Sequence, residues 1–271
     1  QGLNPDGTRN PALPVLLDVD NIINYALIIA YTGGYDSGIS AFLGDNQANN
    51  RYGIYNRVAA DEGFKFFIHD NEHSLGAAGN VHGSGSIDRT GPFNNGNQSN
   101  YDYFNPTYLH QDLLAHPEYR QRVIELATQY FLNDGPMTPA ANAARMQERK
   151  DQVDAAVIAE SARWGDSKTE PPRTKATWTT EVNWLFNVYF PNRTSLVLNH
   201  LRNDGLYVTP AVLSPPGGSV SPGTMLTMDA NGQGTIYYTT DGVTDPRLIG
   251  GELNPSPPLK TYSGTIAITD G

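Results

Sequence analysis

The chain has 271 residues and a formal charge of −10, with 17% charged and 38% apolar residues. That length fits one large domain and a small one, and the apolar fraction suits a folded chain with long ordered loops. The acidic balance, with no local Lys/Arg cluster, disfavours a nucleic-acid partner, and the absence of cysteine excludes disulfides, zinc knuckles and thiol nucleophiles.

Residues 1–14 are punctuated by Asn-Pro and Asp-Gly turns. The opening Gln-Gly-Leu-Asn-Pro-Asp-Gly carries neither an initiator Met nor a signal-peptide pattern, and reads as a piece of a longer precursor. Asp18 or Asp20 can cap an apolar helix that runs to about Tyr31 and is stopped by Gly33-Gly34. Its apolar run, Ile22 to Ala30, is interrupted by Asn24 and is too short to span a bilayer. Residues 35–50 form a polar loop around a short apolar patch. Arg51–Asn56 and Phe64–His69 then read as two strands flanking a turn with Asp61-Glu62-Gly63. Residues 76–105 are a Gly/Asn/Ser loop of a length that usually signals function.

From Pro106 to Gly205 the pattern is helical. Pro117 and Pro139 suit first helical positions behind His116 and Thr138, and Gly135 and Gly205 suit ends. Apolar faces recur at Val123, Leu126, Ala127 and Phe131, at Val153, Ala156 and Val157, and at Val182, Leu185 and Tyr189. A Pro/Gly/Ser stretch follows, Leu206–Gly223, and then short alternating segments at Met225–Met228, Thr235–Thr240 and Thr265–Thr269, separated by Asn-Gly and Asp-Gly turns. These predict part of a small β-sandwich.

The densest chemistry lies in Phe64–Gly76, where a run of strand formers ends in Asp70, Glu72 and the imidazoles of His69 and His73. Such a cluster costs solvation energy, so it commonly holds a metal or a reacting group, although a strand-end Asp or Asn also simply caps turns. If the strand persisted, Asp70 and Glu72 would share a face. His69-x-x-Glu72-His73 also matches an inverted zincin pattern, a zinc-dependent hydrolase reading that requires a helix. The preceding β-pattern and the poor helix formers Asn71, Ser74 and Gly76 argue against it.

The segments Asp18–Asp36 and Phe64–Gly76 together resemble the CotH family of spore-coat-type protein kinases. The helix Leu17-Asp18-Val19-Asp20-Asn21-Ile22-Ile23-Asn24-Tyr25, the loop Asp36, an Asn at 49 or 50, and the strand-end pair Asp70 and Glu72 carry the likeness. So do Asp88-Arg89-Thr90-Gly91-Pro92, Glu181-Val182-Asn183-Trp184-Leu185 and Phe190-Pro191-Asn192-Arg193-Thr194, which are similar to the version in large exported bacterial proteins. The tail from Gly234 to Gly242, followed by Asp245-Pro246-Arg247, resembles the chitobiase/β-hexosaminidase C-terminal Ig-like module.

The resemblance implies an α+β chain. Residues 1–207 would form a mostly helical atypical-kinase C-lobe with a small β-hairpin at the active site, and 208–271 a partial Ig-like β-sandwich. It implies ATP with Mg2+ or Mn2+ as cofactor, a protein hydroxyl as phosphoacceptor and an extracytoplasmic bacterial location. Asp70 and Glu72, with Asn50, would hold the metal; Asp36 would orient the acceptor or take its proton; Asn49, Asn50 and Arg89 would face the nucleotide. Glu72 stands where the family has a second Asp, and the family's nucleotide-anchoring lysine lies upstream of Gln1, so this piece alone is expected to be inactive. A non-catalytic surface or extracellular-matrix scaffold, or polysaccharide attachment through the Ig-like module, is the alternative. Arg89 could clamp a phosphate or anchor the long loop through an ion pair. Gly83-Ser84-Gly85 reads as a plain loop, and Trp164, Trp178 and Trp184 read as helix-borne core residues.

Overall fold

A computed structural model describes the chain except residues 1, 3, 5–9, 59–61, 77–84, 95–98, 168, 257, 270 and 271. Asp61, His82, Gly83, Ser84 and the Asn97-Gln98 pair lie outside the described residues. The chain divides into two compact units, with residues 10–206 in one and 207–271 in the other.

The first unit is organised around helix α1 (Val19–Thr32). Asp18 adopts an extended conformation and its carboxylate accepts from Asn21 N–H at 3.0 Å, an N-cap of the kind worth about 1 kcal/mol. Gly33 closes the helix in the left-handed region at φ 64°, donating to Ile29 O. Between the caps Ile22, Ile23, Leu27 and Ile29 are buried, each a contribution of roughly 1.5–3 kcal/mol. The helix packs against β2 (Phe64–Ile68) and against α3 (Pro106–Leu113), α4 (Pro117–Phe131) and α7 (Phe190–Asn203).

β1 (Arg51–Tyr55) and β2 form an antiparallel hairpin with Arg51 opposite Ile68 and Tyr55 opposite Phe64. The hairpin is tied to α1 through Asn21, whose amide accepts from Phe66 N–H at 2.6 Å and donates to Phe66 O at 3.0 Å. Asp18 N–H donates to Phe64 O at 2.9 Å, and Phe64 N–H to Leu16 O at 3.0 Å, so the start of α1 and the start of β2 are locked together.

α3, α4 and α5 (Pro139–Trp164) each begin with a side-chain cap followed by proline, as Asn105-Pro106, His116-Pro117 and Thr138-Pro139. Proline fits there because the first helical N–H has no partner within the helix. The long loop before α3 contains a four-residue helix, α2 (Asn100–Tyr103), which the sequence reading passes over. α6 (Lys175–Trp184) runs through a π-helical turn, Leu185–Tyr189, into α7. The wide turn ends just before Pro191, which has no N–H to offer the carbonyl four residues back.

Two expectations fail here. α5 buries no residue along its 26 positions, and Val153 and Ile158 are 42% and 55% exposed. Trp164 at its end is 52% exposed, with the Arg163 guanidinium 5.0 Å above its ring, so it is not a core residue. The helix packs chiefly along the stripe that meets α6 and α7.

In the second unit β3 (Val212–Ser214), β4 (Met225–Asp229) and β7 (Ile266–Ala267) make a three-stranded antiparallel sheet in the order β3-β4-β7. β5 (Tyr237–Tyr238) pairs with β6 (Lys260–Thr261). None of these strands fully buries a side chain.

Candidate functional site

The loop that follows α1 closes on itself before it reaches the hairpin. Asp36 bridges Ser40, Ile39 bridges Ala48, and Asn49 N–H donates to Gly38 O at 3.0 Å. Folding the loop this way brings Asn49 and Asn50 onto the Asp36 side chain. Asn49 Nδ2 donates to Asp36 Oδ1 at 2.7 Å, Asn50 Nδ2 to Asp36 Oδ2 at 3.1 Å and to Asp36 O at 2.8 Å, and Ser40 Oγ also bonds Oδ1. The carboxylate is half-buried and its orientation is fixed by amides and a hydroxyl rather than by a cation.

Asn50 is also the joint to the strand end, since its Nδ2 lies 3.3 Å from Asp70 O. Two further bonds dock the 70–75 turn onto the end of α1: Tyr35 N–H to His73 O at 2.8 Å and Leu75 N–H to Thr32 O at 2.7 Å. Gly34 permits this approach, because a Cβ there would sit 2.7 Å from Asn71 Oδ1. Asn71 Oδ1 itself is buried and has no hydrogen-bond partner among the described residues.

The strand does not continue through the acidic tip. β2 ends at Ile68 and Asp70 takes a left-handed φ of 50°, so Asp70 and Glu72 are not brought to one face by strand alternation. Asp70 is exposed, and its carboxylate has no hydrogen bond or ion pair among the described residues; Glu72, 63% exposed, is 3.8 Å from His73 Nε2. Nor is the segment helical, so the one-face arrangement that His69, Glu72 and His73 would need to bind zinc does not form. Among the described residues no group of three or more His, Asp or Glu side chains is gathered for a metal.

Arg89 is placed elsewhere. Its side chain is 1% exposed, ion-paired with Asp45 and bonded to Ile39 O, and the guanidinium lies 4.8 Å from the Phe93 ring centroid. It fastens residues 39–45 to the middle of the long loop, the anchoring role. Thus Asp36, Asn49, Asn50 and the Asp70 backbone come together, whereas Arg89 and the Glu72 carboxylate do not join them.

Several contributors were missed from the sequence. Ser40 sits four residues past Asp36 and is completely buried. Asn105, which caps α3, also donates to Gly38 O at 2.6 Å, and Tyr25 Oη accepts from Gly38 N–H at 3.1 Å. Beside the site Phe42, 48% exposed, stands edge-on to Tyr35 at 4.9 Å and to His73 at 5.0 Å. Nothing in the local spacing signals these partners except the capping pattern at Asn105.

A carboxylate held by amides on a loop after a buried helix thus lies beside a strand-end turn that carries the exposed Asp70 carboxylate, on an α+β body. The chain belongs to the CotH kinase family: the family model described as CotH kinase protein matches residues 7–196. Comparison with curated proteins and with solved structures returns no match.

Proposed function

We propose that residues 10–206 form the catalytic lobe of an atypical protein kinase that moves the γ-phosphoryl group of ATP to a protein hydroxyl. The observation that carries this reading is the Asp36 carboxylate, aimed by Asn49, Asn50 and Ser40 and joined through Asn50 to the Asp70 turn. The donor set fits Mg2+ or Mn2+. Such an ion keeps several waters and is commonly bound through only one or two carboxylates plus the phosphates, so a three-acid cage is not required. Asp70, with an amide oxygen of Asn49 or Asn50, would hold it, and Glu72 lies within the same turn. When bound, the ion would neutralise charge on the phosphates. Asp36 orients the incoming hydroxyl by accepting its hydrogen bond, and takes up its proton as the oxygen–phosphorus bond forms and ADP leaves. The amide and hydroxyl partners hold the carboxylate still, so the cost of orienting it is met during folding. The C-terminal unit, two small antiparallel sheets, would be an Ig-like module of an exported bacterial protein, and polysaccharide or extracellular matrix a binding partner.

Calorimetric titration of the full-length protein with ATP tests the proposal. ATP is expected to bind in the presence of Mg2+ or Mn2+, to lose at least about tenfold affinity in EDTA, and to do the same on Asp70→Ala. Asp36→Asn should keep that binding. Identical titrations with and without the cation, or an unaffected Asp70→Ala, would overturn the kinase reading in favour of a non-catalytic scaffold.

A further inference from the structure

A cavity of about 300 Å3 lies inside the first unit, between α1, α3, α4, α7 and segment 89–93, with Ser37 at its edge. Its deep wall is apolar: Leu27, Ala30, Val123 and Leu201 border it and are each at most 4% exposed. An engineered apolar cavity of about 150 Å3 already holds benzene, so this one has room for a larger ring compound.

Besides Arg89 Nε, one polar group in the wall lacks a partner. His110 is 7% exposed and borders the cavity, and its Nδ1 is 2.7 Å from the Tyr119 hydroxyl. Tyr119 does not border the cavity, so the ring edge carrying Nε2 is the one turned towards it. Nε2 has no hydrogen-bond partner among the described residues. Burial pushes the imidazole down to about 4 and the phenol up, so both are neutral near pH 7. If Nδ1–H donated to the phenol, the phenol proton and Nε2 would both go unpaired. If the phenol donates to Nδ1, only Nε2–H is left, which costs less. His110 therefore presents an N–H donor to the cavity, whose rim also carries Thr90, Gln111 and Asp204. The Arg89 guanidinium in its wall is ion-paired with Asp45 through Nη1, and its Nε has no partner among the described residues.

We infer that this cavity is a binding site for a small, uncharged, mainly apolar molecule with a hydrogen-bond acceptor that takes the His110 Nε2 proton. The reading is independent of phosphoryl transfer, and its test involves neither nucleotide nor cation. Acetophenone and cumene make a matched pair of nearly equal shape, one with a carbonyl acceptor and one without. Methyl NMR on the whole chain should show saturable shifts at Leu27, Val123 and Leu201 with acetophenone. Cumene should bind about fivefold more weakly, the worth of one net hydrogen bond. Benzoate, which would bury an unpaired charge, should not bind. Ala26→Phe, which fills the cavity from α1, should abolish the shifts, and His110→Phe should reduce acetophenone to the cumene affinity. No saturable shift with acetophenone, equal affinity for the two probes, tight benzoate binding, or shifts that persist in Ala26→Phe would each overturn the proposal. The probe comparison on the unaltered chain stands even if a variant fails to fold.

Discussion

Replacing Arg193 by Met should cost the first unit about 3–5 kcal/mol, although no carboxylate touches the guanidinium. Arg193 is 1% exposed, and its Nε donates to Tyr31 O at 2.8 Å, Nη1 to Gly85 O at 2.8 Å and Nη2 to Ile87 O at 2.9 Å and to Ala30 O. Ala30 and Tyr31 lie in the last turn of α1, where carbonyls have no partner within the helix and the helix dipole favours a cation. Burial pulls the guanidinium pKa below its usual value. On substitution Tyr31 O keeps the Tyr189 hydroxyl at 2.6 Å, but the carbonyls of Ala30, Gly85 and Ile87 lose this donor. Hydrogen bonds to a charged group are worth about 1.5–3 kcal/mol each, less at the half-buried Gly85 and Ile87 carbonyls than at the buried Ala30 carbonyl, and relief from desolvating the charge returns part of that, leaving the net figure above. Arg193→Lys should fall between, because one ammonium cannot span two segments as a planar fork does. Urea unfolding followed by tryptophan fluorescence is the assay, since Trp164, Trp178 and Trp184 all lie in residues 10–206. An Arg193→Met midpoint within about 1 kcal/mol of the unaltered chain would refute this account.

Acidification should weaken the fold through His110 before most carboxylates titrate. The imidazole stays unprotonated in the folded state until about 4, against 6.5 when exposed, so the unfolded chain binds the extra proton between those values and stability falls as pH falls. The loss across that window is on the order of 3 kcal/mol, and unfolding curves of His110→Phe should be flatter there; parallel pH profiles would remove His110 as the cause. Gly63→Ala should cost roughly 2–3 kcal/mol: Gly63 has φ 70°, and an added Cβ would lie 2.6 Å from Leu17 N and 2.9 Å from Leu17 Cα. An unchanged unfolding midpoint would mean that the α1–β2 start is not held as described.

The parts of the fold legible in the sequence are those set by neighbours along the chain. Asp18 as cap, Gly33 as stop, the proline-led helix starts and the paired strands all depend on local backbone preferences. What the sequence does not disclose depends on distant backbone atoms. Arg193 and Arg89 take main-chain oxygens that carry no side-chain signature, so a phosphate clamp and a loop anchor look alike in the sequence. The apolar positions of α5 promise a buried face, but the periodicity does not say how much of the helix has a neighbour. The shared-face argument for Asp70 and Glu72 assumed that β2 runs on; it stops at Ile68, and one left-handed residue is enough to undo a period-two pattern.

The distribution of partners around the site is itself an argument. Residues 36–50 are held by Asn105 and Tyr25 at Gly38, by Arg89 at Ile39 and Asp45, and by Asn49 and Asn50 at Asp36, so the loop is over-determined from several elements. The adjoining turn is docked through its backbone, at Asp70 O, His73 O and Leu75 N, while the Asp70 side chain takes no partner among the described residues. A turn selected only for stability would gain by pairing that carboxylate with a nearby Lys or Arg. A turn that must receive a cation has to leave it unpaired and fix only the main chain beneath it, because any resident ion pair would have to be broken on binding. The geometry leaves the Asp70 carboxylate available above a backbone docked at three points, which is what the proposed cation role would require.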